Sequence, residues 1–564
     1  MSLPTPAIVA QHAVRPLPRW ALILLCAAYM LPGFWGRAPW KSADIAAFGY
    51  MQAIAENRTS WWAPTLAGLP PETEGLLPYW LGAWALRIAP ESWSAEWVVR
   101  WPFLGLLALT LCATWYGVYH LARAPSAQPV AFAFGGEAPP TDYARTMADS
   151  ALLALIACLG LAQLSHETTS YLSQLAFVAL AFYGAAVLPQ SALRGLIALS
   201  AGLPGIVLSG APTVGLLVGL GALWMAALAP RRWTVMSCML GLLIACAALG
   251  WSGQLFAWRT VLPGGSEGKD WESLLRLLVW FGWPAWPLAL WTLWRWRTQL
   301  GAPAQYPHIA LPLWFTLVGL GATLTTLPAD RALLLGLPSM AALAAFALPT
   351  LRRSVAALID WFTLLFFSVS AITIWVIWVA MQTGVPAKPA ANVAKLAPGF
   401  EPQFSGVALG VALAATMAWC ALVWWRAARD RAVLWKSLVL PASGATLGWL
   451  LLLTLWLPLL DFARSYQPQM QAIGALLAPQ SGCVHPIGLS RSQIAAIEYH
   501  LDRTVMTPTP DADCPWALAD RNLWQQMLQT DRTPVAANWS QIAVVPRPTD
   551  KTDHIVVLRR VSPR

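Results

Sequence analysis

The chain has 564 residues, 57% of them hydrophobic and only 11% charged, with 35 Trp and a formal net charge of +10. A soluble domain carries about 25% charged residues, so this balance excludes a soluble globular protein. Arg and Lys sit in short loops between apolar runs and form no basic, aromatic-interleaved module, which argues against a nucleic-acid partner.

The first apolar stretch, Trp20 to Phe34, follows Arg15 and Arg19. It lacks a small-x-small cleavage site and many further spans follow it, so it is expected to be a retained first helix. At about 20 residues per span, roughly thirteen membrane helices are expected. They fall near 20–36, 99–122, 149–165, 171–189, 194–209, 212–229, 233–250, 272–294, 309–327, 331–349, 357–380, 405–425 and 436–460. With the N-terminus placed in the cytoplasm, fifteen Arg and Lys residues fall in inner loops, among them Arg15, Arg19, Arg123, Arg145 and Arg231. Only five fall in short outer loops: Arg259, Lys269, Arg331, Lys388 and Lys395. That bias, with an odd number of spans, sends the C-terminal tail outside.

Residues 1–460 are therefore expected to form the membrane domain, with a first periplasmic loop at 37–98, and 461–564 a separate periplasmic domain. The loop carries six Trp and an apolar stretch from Leu76 to Ile88, too short to span and suited to an interfacial helix. The tail reads as a small α/β domain: strands at Val484–Leu489, Gln541–Val545 and His554–Leu558, and a helix at Arg491–His500. Six cysteines lie in apolar runs and read as small hydrophobes. Cys483 and Cys514 stand apart in the tail and suggest a disulfide, hence an oxidising compartment.

Ionisable residues at the outer ends of helices are the informative ones, because they are costly near lipid. Asp44, just after the first span, is either a helix cap or a functional acid. Glu72 and Glu74 lie in a proline-punctuated turn before the interfacial helix. Arg100 opens the second span and either snorkels or holds a phosphate. His166 and Glu167 form a tight outer hairpin; as metal ligands they would need partners from elsewhere.

In this order the elements resemble the GT-C superfamily of polyprenyl-phosphate-dependent glycosyltransferases, most of all the bacterial aminoarabinose (lipid A) transferases and protein O-mannosyltransferases. The resemblance rests on the Asp44–Ala55 helix, the Pro78-Tyr-Trp-Leu-Gly-Ala83 helix, the Arg100-x-Pro102 start and the His166-Glu167 hairpin. It also includes Asp330-Arg331 before a Leu-Pro segment ending at Pro338. It implies an all-α polytopic GT-C-like fold and transfer of a sugar from a polyprenyl-phosphate donor, such as undecaprenyl phosphate, to an envelope acceptor. That acceptor would be lipid A, another glycolipid or a protein, reached on the periplasmic face of the bacterial inner membrane.

The resemblance implies that Asp44 takes the position of the catalytic base or orienter, and that Arg100 and Arg331 are candidates to stabilise the departing phosphate. His166 and Glu167 would line the same cavity. No cofactor is fixed, and a divalent metal stays open. The chain departs from the family pattern in two places. Ile45 follows Asp44 where family members often have Glu, and Glu74-Gly75 stands where a Lys is frequent, leaving Lys41 as the candidate substitute. Two alternatives remain. A transporter or flippase of lipid-linked glycans would show internal repeats and ionisable residues near the bilayer midplane. A non-catalytic assembly protein would use its tail for binding.

Overall fold

The structure, a computed structural model, describes residues 5–72, 75–255, 268–326, 329–428, 433–477, 482–505, 514–529 and 538–561. The chain forms two compact units. One comprises Met1–Phe34, Phe103–Thr373 and Val407–Thr454; the other comprises Trp35–Pro102, Ile374–Gly406 and Leu455–Arg564.

The first unit is a bundle of apolar helices, and the fold is that of a polytopic membrane protein. Every segment expected to span contains a helix. Among the described residues eight helices are long and apolar enough to cross a membrane, or nine with one bent pair. Arg19–Met30, Ala192–Leu208 and Pro212–Ala226 are apolar but shorter. Several boundaries differ from expectation, among them the span at 436–460, which stops at Leu455 and is followed by helix Leu457–Arg464. The first helix stops at Met30, because Pro32 and Gly33 follow. The expected span at 149–165 is a helix that starts at Pro140 and stops at Ala157, with a separate turn of helix at Leu161–Leu164. The expected span at 272–294 is two helices bent by 85°, Trp271–Phe281 and Ala285–Arg295. Gly282 and Pro284 occupy the bend, where proline removes a donor from the helical ladder.

Burial sorts these helices by partner. The most apolar stretch of Ala329–Thr350 is 94% buried, so protein surrounds it; that of Gly406–Arg426 is 11% buried and leaves its apolar surface for lipid. Small residues let helices close on each other where lipid supplies no hydrophobic drive. Between Ser170–Val187 and Ala192–Leu208, a methyl group on Gly195 would lie 2.9 Å from the Gly184 carbonyl oxygen.

The second unit combines the first loop with the tail. Helix Ala43–Ala55 packs against the interfacial helix Leu77–Ile88, where Gly82 leaves room for Met51. It also packs against helix Arg491–Leu501, with Gly49 against Ala495 and the Phe48 ring edge-on to Tyr499. A Ser490–Gln493 capping box starts that helix. The sheet has order β1-β2-β4-β3, with β1 at Val484–Ile487, β2 at Trp516–Asp520, β3 at Trp539–Arg547 and β4 at Asp550–Arg560. β1 and β2 are parallel; the other pairs are antiparallel.

The sequence reading omits β2 and the helix after it, Arg521–Gln529. Trp-Ala-Leu-Ala-Asp is short, Ala-rich and shows no alternation, because both faces of this inner strand are covered. Cys483 and Cys514 are joined by a disulfide that ties the approach to β1 to the approach to β2.

Candidate functional site

The segment from Arg37 to Asp44 is built around one buried ion pair. Asp44 sits in the first turn of helix Ala43–Ala55, and its Oδ2 lies 3.0 Å from Arg37 Nη2, with both side chains 2% exposed. It is not the N-cap; Ser42 holds that position. Instead Oδ2 accepts a hydrogen bond from the Trp40 backbone N–H at 3.1 Å, so the carboxylate clamps the chain leading into its own helix. A buried charge is tolerated only when paired and hydrogen-bonded, and both conditions hold here.

A second acid completes the arrangement. Asp461, in helix Leu457–Arg464, accepts from Trp40 Nε1 at 2.6 Å and from the Ala38 amide at 3.3 Å. The Trp40 ring lies against two guanidiniums, Arg37 at 4.4 Å and Arg464 at 5.3 Å from its centroid. Burial pushes the Asp461 carboxyl up to about 6 from its ordinary value of 3.8, against the lowering effects of Trp40, the Ala38 amide, Arg37 and Arg100.

Arg100 is buried, 4% exposed, and feels the charges of Arg37, Asp44, Glu96 and Asp461. Among the described residues it makes no hydrogen bond or ion pair of its own. A guanidinium whose donors are not taken up by hydrogen bonds can hold an oxyanion.

The other nominated residues are placed as follows. Lys41 Nζ is held by Asp550 at 2.7 Å and Asp553 at 3.0 Å, so it ties the loop to β4. The Asp550 carboxyl is held well below the usual range, first by its hydrogen bond from Lys41 and then by Thr552. Glu74 lies outside the described residues.

In the helical unit, His166 is 1% exposed and packed among Tyr29, Phe34 and Trp449. Its ring nitrogens contact the backbone oxygens of Ala162 and, at 3.1 Å, Tyr29. Gly33 is required beside it, since a methyl group there would lie 2.1 Å from the imidazole. Glu167 pairs with Arg331 at 3.4 Å and accepts from Gln163 at 3.2 Å. The Arg331 guanidinium lies over the Tyr171 ring, and its Nε is buried with no hydrogen-bond partner among the described residues.

Asp44, Arg100 and Lys41 thus share one unit, while Glu167, His166 and Arg331 share the other. The sequence reading passed over Arg37, Trp40, Asp461 and Arg464. Arg37 and Trp40 flank Asp44 and could have been found by neighbourhood; Asp461 was visible only as an acid closing the last span. Among the described residues no group of three or more His, Cys, Asp or Glu could hold a metal ion.

No protein-family profile and no curated relative matches the chain. Solved structures do. The chain is similar to ArnT from Cupriavidus metallidurans bound to undecaprenyl phosphate, at TM-score 0.62 and 13% identity, covering 96% of this chain and 97% of that one. The apo form of the same protein matches at TM-score 0.60 and 14% identity, with the same coverage. The likeness runs over both units, and the fold is ArnT-like.

Proposed function

We propose that the chain is a membrane glycosyltransferase that moves a sugar from a polyprenyl-phosphate donor to an envelope acceptor on the periplasmic face of the inner membrane. The observation that carries this reading is the buried Arg100, uncommitted among the described residues, beside the Asp44–Arg37 pair on an ArnT-like fold. Undecaprenyl phosphate is the ligand of the ArnT structure and is the donor carrier proposed here.

The chemistry follows from the placement. An acceptor hydroxyl hydrogen-bonded to Asp44 gives up its proton to the carboxylate as its oxygen bonds to the anomeric carbon. The bond from that carbon to the phosphate oxygen breaks, and the added negative charge falls on the lipid phosphate. Arg100 stabilises that charge with donors already buried and in place. Arg37 holds the Asp44 carboxylate in one orientation, and Trp40, fixed by Asp461, holds Arg37 through its ring face. Glu167 and Arg331 are proposed to bind substrate within their own unit, with the free Arg331 Nε as a second anion donor. His166 supports the hairpin that carries Glu167. Lipid A, another glycolipid and protein all remain acceptors of the required chemistry.

The test compares envelope glycolipids and glycoproteins by mass spectrometry in a deletion strain carrying the wild-type gene, Asp44→Asn or Arg100→Gln. The expected result is one species that loses a defined sugar mass in the deletion and in both variants. An unchanged glycan profile in the deletion strain would overturn the reading. Full restoration by Asp44→Asn would remove that residue from the role of base.

A further inference from the structure

A largely apolar cavity lies in the helical unit, independent of the proposed transfer site. It has a volume of about 470 Å³ and is walled by helices Arg19–Met30, Ala95–Ala122 and Pro140–Ala157. Most of the lining is apolar, including Leu22, Ile23, Leu111 and Leu152. The apolar wall continues to the outside: Trp20, Ile23 and Leu24 are 72%, 68% and 62% exposed on a helix of a membrane bundle.

One lining residue is out of place in such a wall. Asp149 is 2% exposed; its Oδ1 accepts from Trp115 Nε1 at 2.8 Å, the Leu17 backbone and the Arg145 charge also act on the carboxylate, and Oδ2 is buried with no partner in hydrogen-bond geometry among the described residues. A buried carboxylate oxygen without a donor is costly. Arg145, one turn earlier on the same helix, and Arg19, the first residue of its own, line the same cavity. Neither makes an ion pair among the described residues. The cavity therefore offers one acceptor at depth, two cations and an apolar remainder on three helices of the bundle, of which Ala95–Ala122 is long and apolar enough to cross a membrane.

We infer that this cavity binds the headgroup of a phospholipid with a primary ammonium, as in phosphatidylethanolamine. The ammonium donates to Asp149 Oδ2, the phosphate sits between Arg19 and Arg145, and the apolar wall takes the start of an acyl chain. A choline headgroup carries the same charge but has no N–H to give, so it leaves Oδ2 unsatisfied. An anionic glycerol headgroup satisfies the arginines but places its charge near the Asp149 carboxylate.

The test uses the full-length protein in nanodiscs of equimolar ethanolamine, choline and glycerol phospholipids with identical acyl chains, and counts retained lipids by native mass spectrometry. Ethanolamine lipid is expected at least tenfold over choline lipid. In Asp149→Asn, which keeps an oxygen for Trp115, that ratio falls toward one and the glycerol lipid gains. In Arg145→Gln retention of ethanolamine and glycerol lipids falls together. A series on the unaltered protein needs no variant: mono-, di- and trimethylation of the ethanolamine nitrogen keeps its charge while removing N–H donors, and retention should drop at the last methyl. Equal retention across that series, or the same ethanolamine-to-choline ratio in wild type and Asp149→Asn, overturns the inference.

Discussion

Asp44 and Glu167 are both buried acids facing an arginine, yet the two units of the molecule treat the pair differently. In the loop-and-tail unit the Asp44–Arg37 contact is 3.0 Å with both partners 2% exposed, and a second acid, Asp461, supports it through Trp40. In the helical unit Glu167 and Arg331 are 3.4 Å apart, the arginine is 14% exposed, and its Nε finds no partner among the described residues. The first pair is buried beside Arg100, which makes no side-chain hydrogen bond among the described residues. In the second, the Arg331 Nε has none among the described residues. The lesson is that burial of an acid beside an arginine does not define a role. What does is whether donors are left over, and on which residue.

Four measurements would break or sharpen that contrast. The largest difference is expected in transfer itself. Asp44→Asn should lower turnover by about 10²- to 10⁴-fold, the usual contribution of a positioned general base. Glu167→Gln should act mainly through substrate KM, and a larger loss of turnover there would reverse the assignment. Next comes stability, read as the shift in thermal unfolding. Removing one partner of a fully buried ion pair costs about 3–5 kcal/mol, so Arg37→Gln should unfold well before Arg331→Gln. Equal shifts would show that the two pairs are alike after all. Double-mutant cycles on each pair would separate direct coupling from general damage.

The disulfide supplies the third. Cys483 and Cys514 are 31 residues apart, and closing a loop of that size stabilises by about 4 kcal/mol in the chain-entropy account. Cys483→Ser with Cys514→Ser should therefore weaken the loop-and-tail unit, and protease cleavage in the tail should rise while the helical unit stays intact. Indifference of the tail to the double variant would mean that packing alone holds it.

The smallest effect concerns pH. The Asp461 carboxyl titrates at about 6, raised from 3.8, so between these values the folded chain holds a proton that the unfolded chain has lost. This group's contribution to stability is therefore present below the ordinary value and declines as pH rises to about 6. The charge-assisted bond to Trp40 Nε1 has the opposite dependence and is complete only above that point. Transfer activity should thus rise through pH 6, by about tenfold or less, and Asp461→Asn should flatten the profile. An inflection that persists in that variant would assign it to another group.

Hydrophobic spacing is a local signal, and what it encodes was legible. Runs of apolar residues gave helices in every expected segment, and the helical pattern expected at Arg491–His500 is the tail helix Arg491–Leu501. Local signals failed where packing overrode them: at the 85° bend before Ala285, and at β2, whose covered faces erase alternation.

The sequence by itself therefore determined that this is a bundle of membrane helices with hydrophilic material in an early loop and a tail, and that Asp44 and Arg100 stand out as ionisable residues beside apolar helices. Only the tertiary structure decided which partners they have. Asp461 lies 421 residues beyond Trp40 and Asp553 lies 512 beyond Lys41, yet both acids bond to that short loop segment. The free energy of a buried charge depends on every donor and acceptor within a few ångströms, whatever their distance along the chain. No window of sequence contains that sum; the folded chain does.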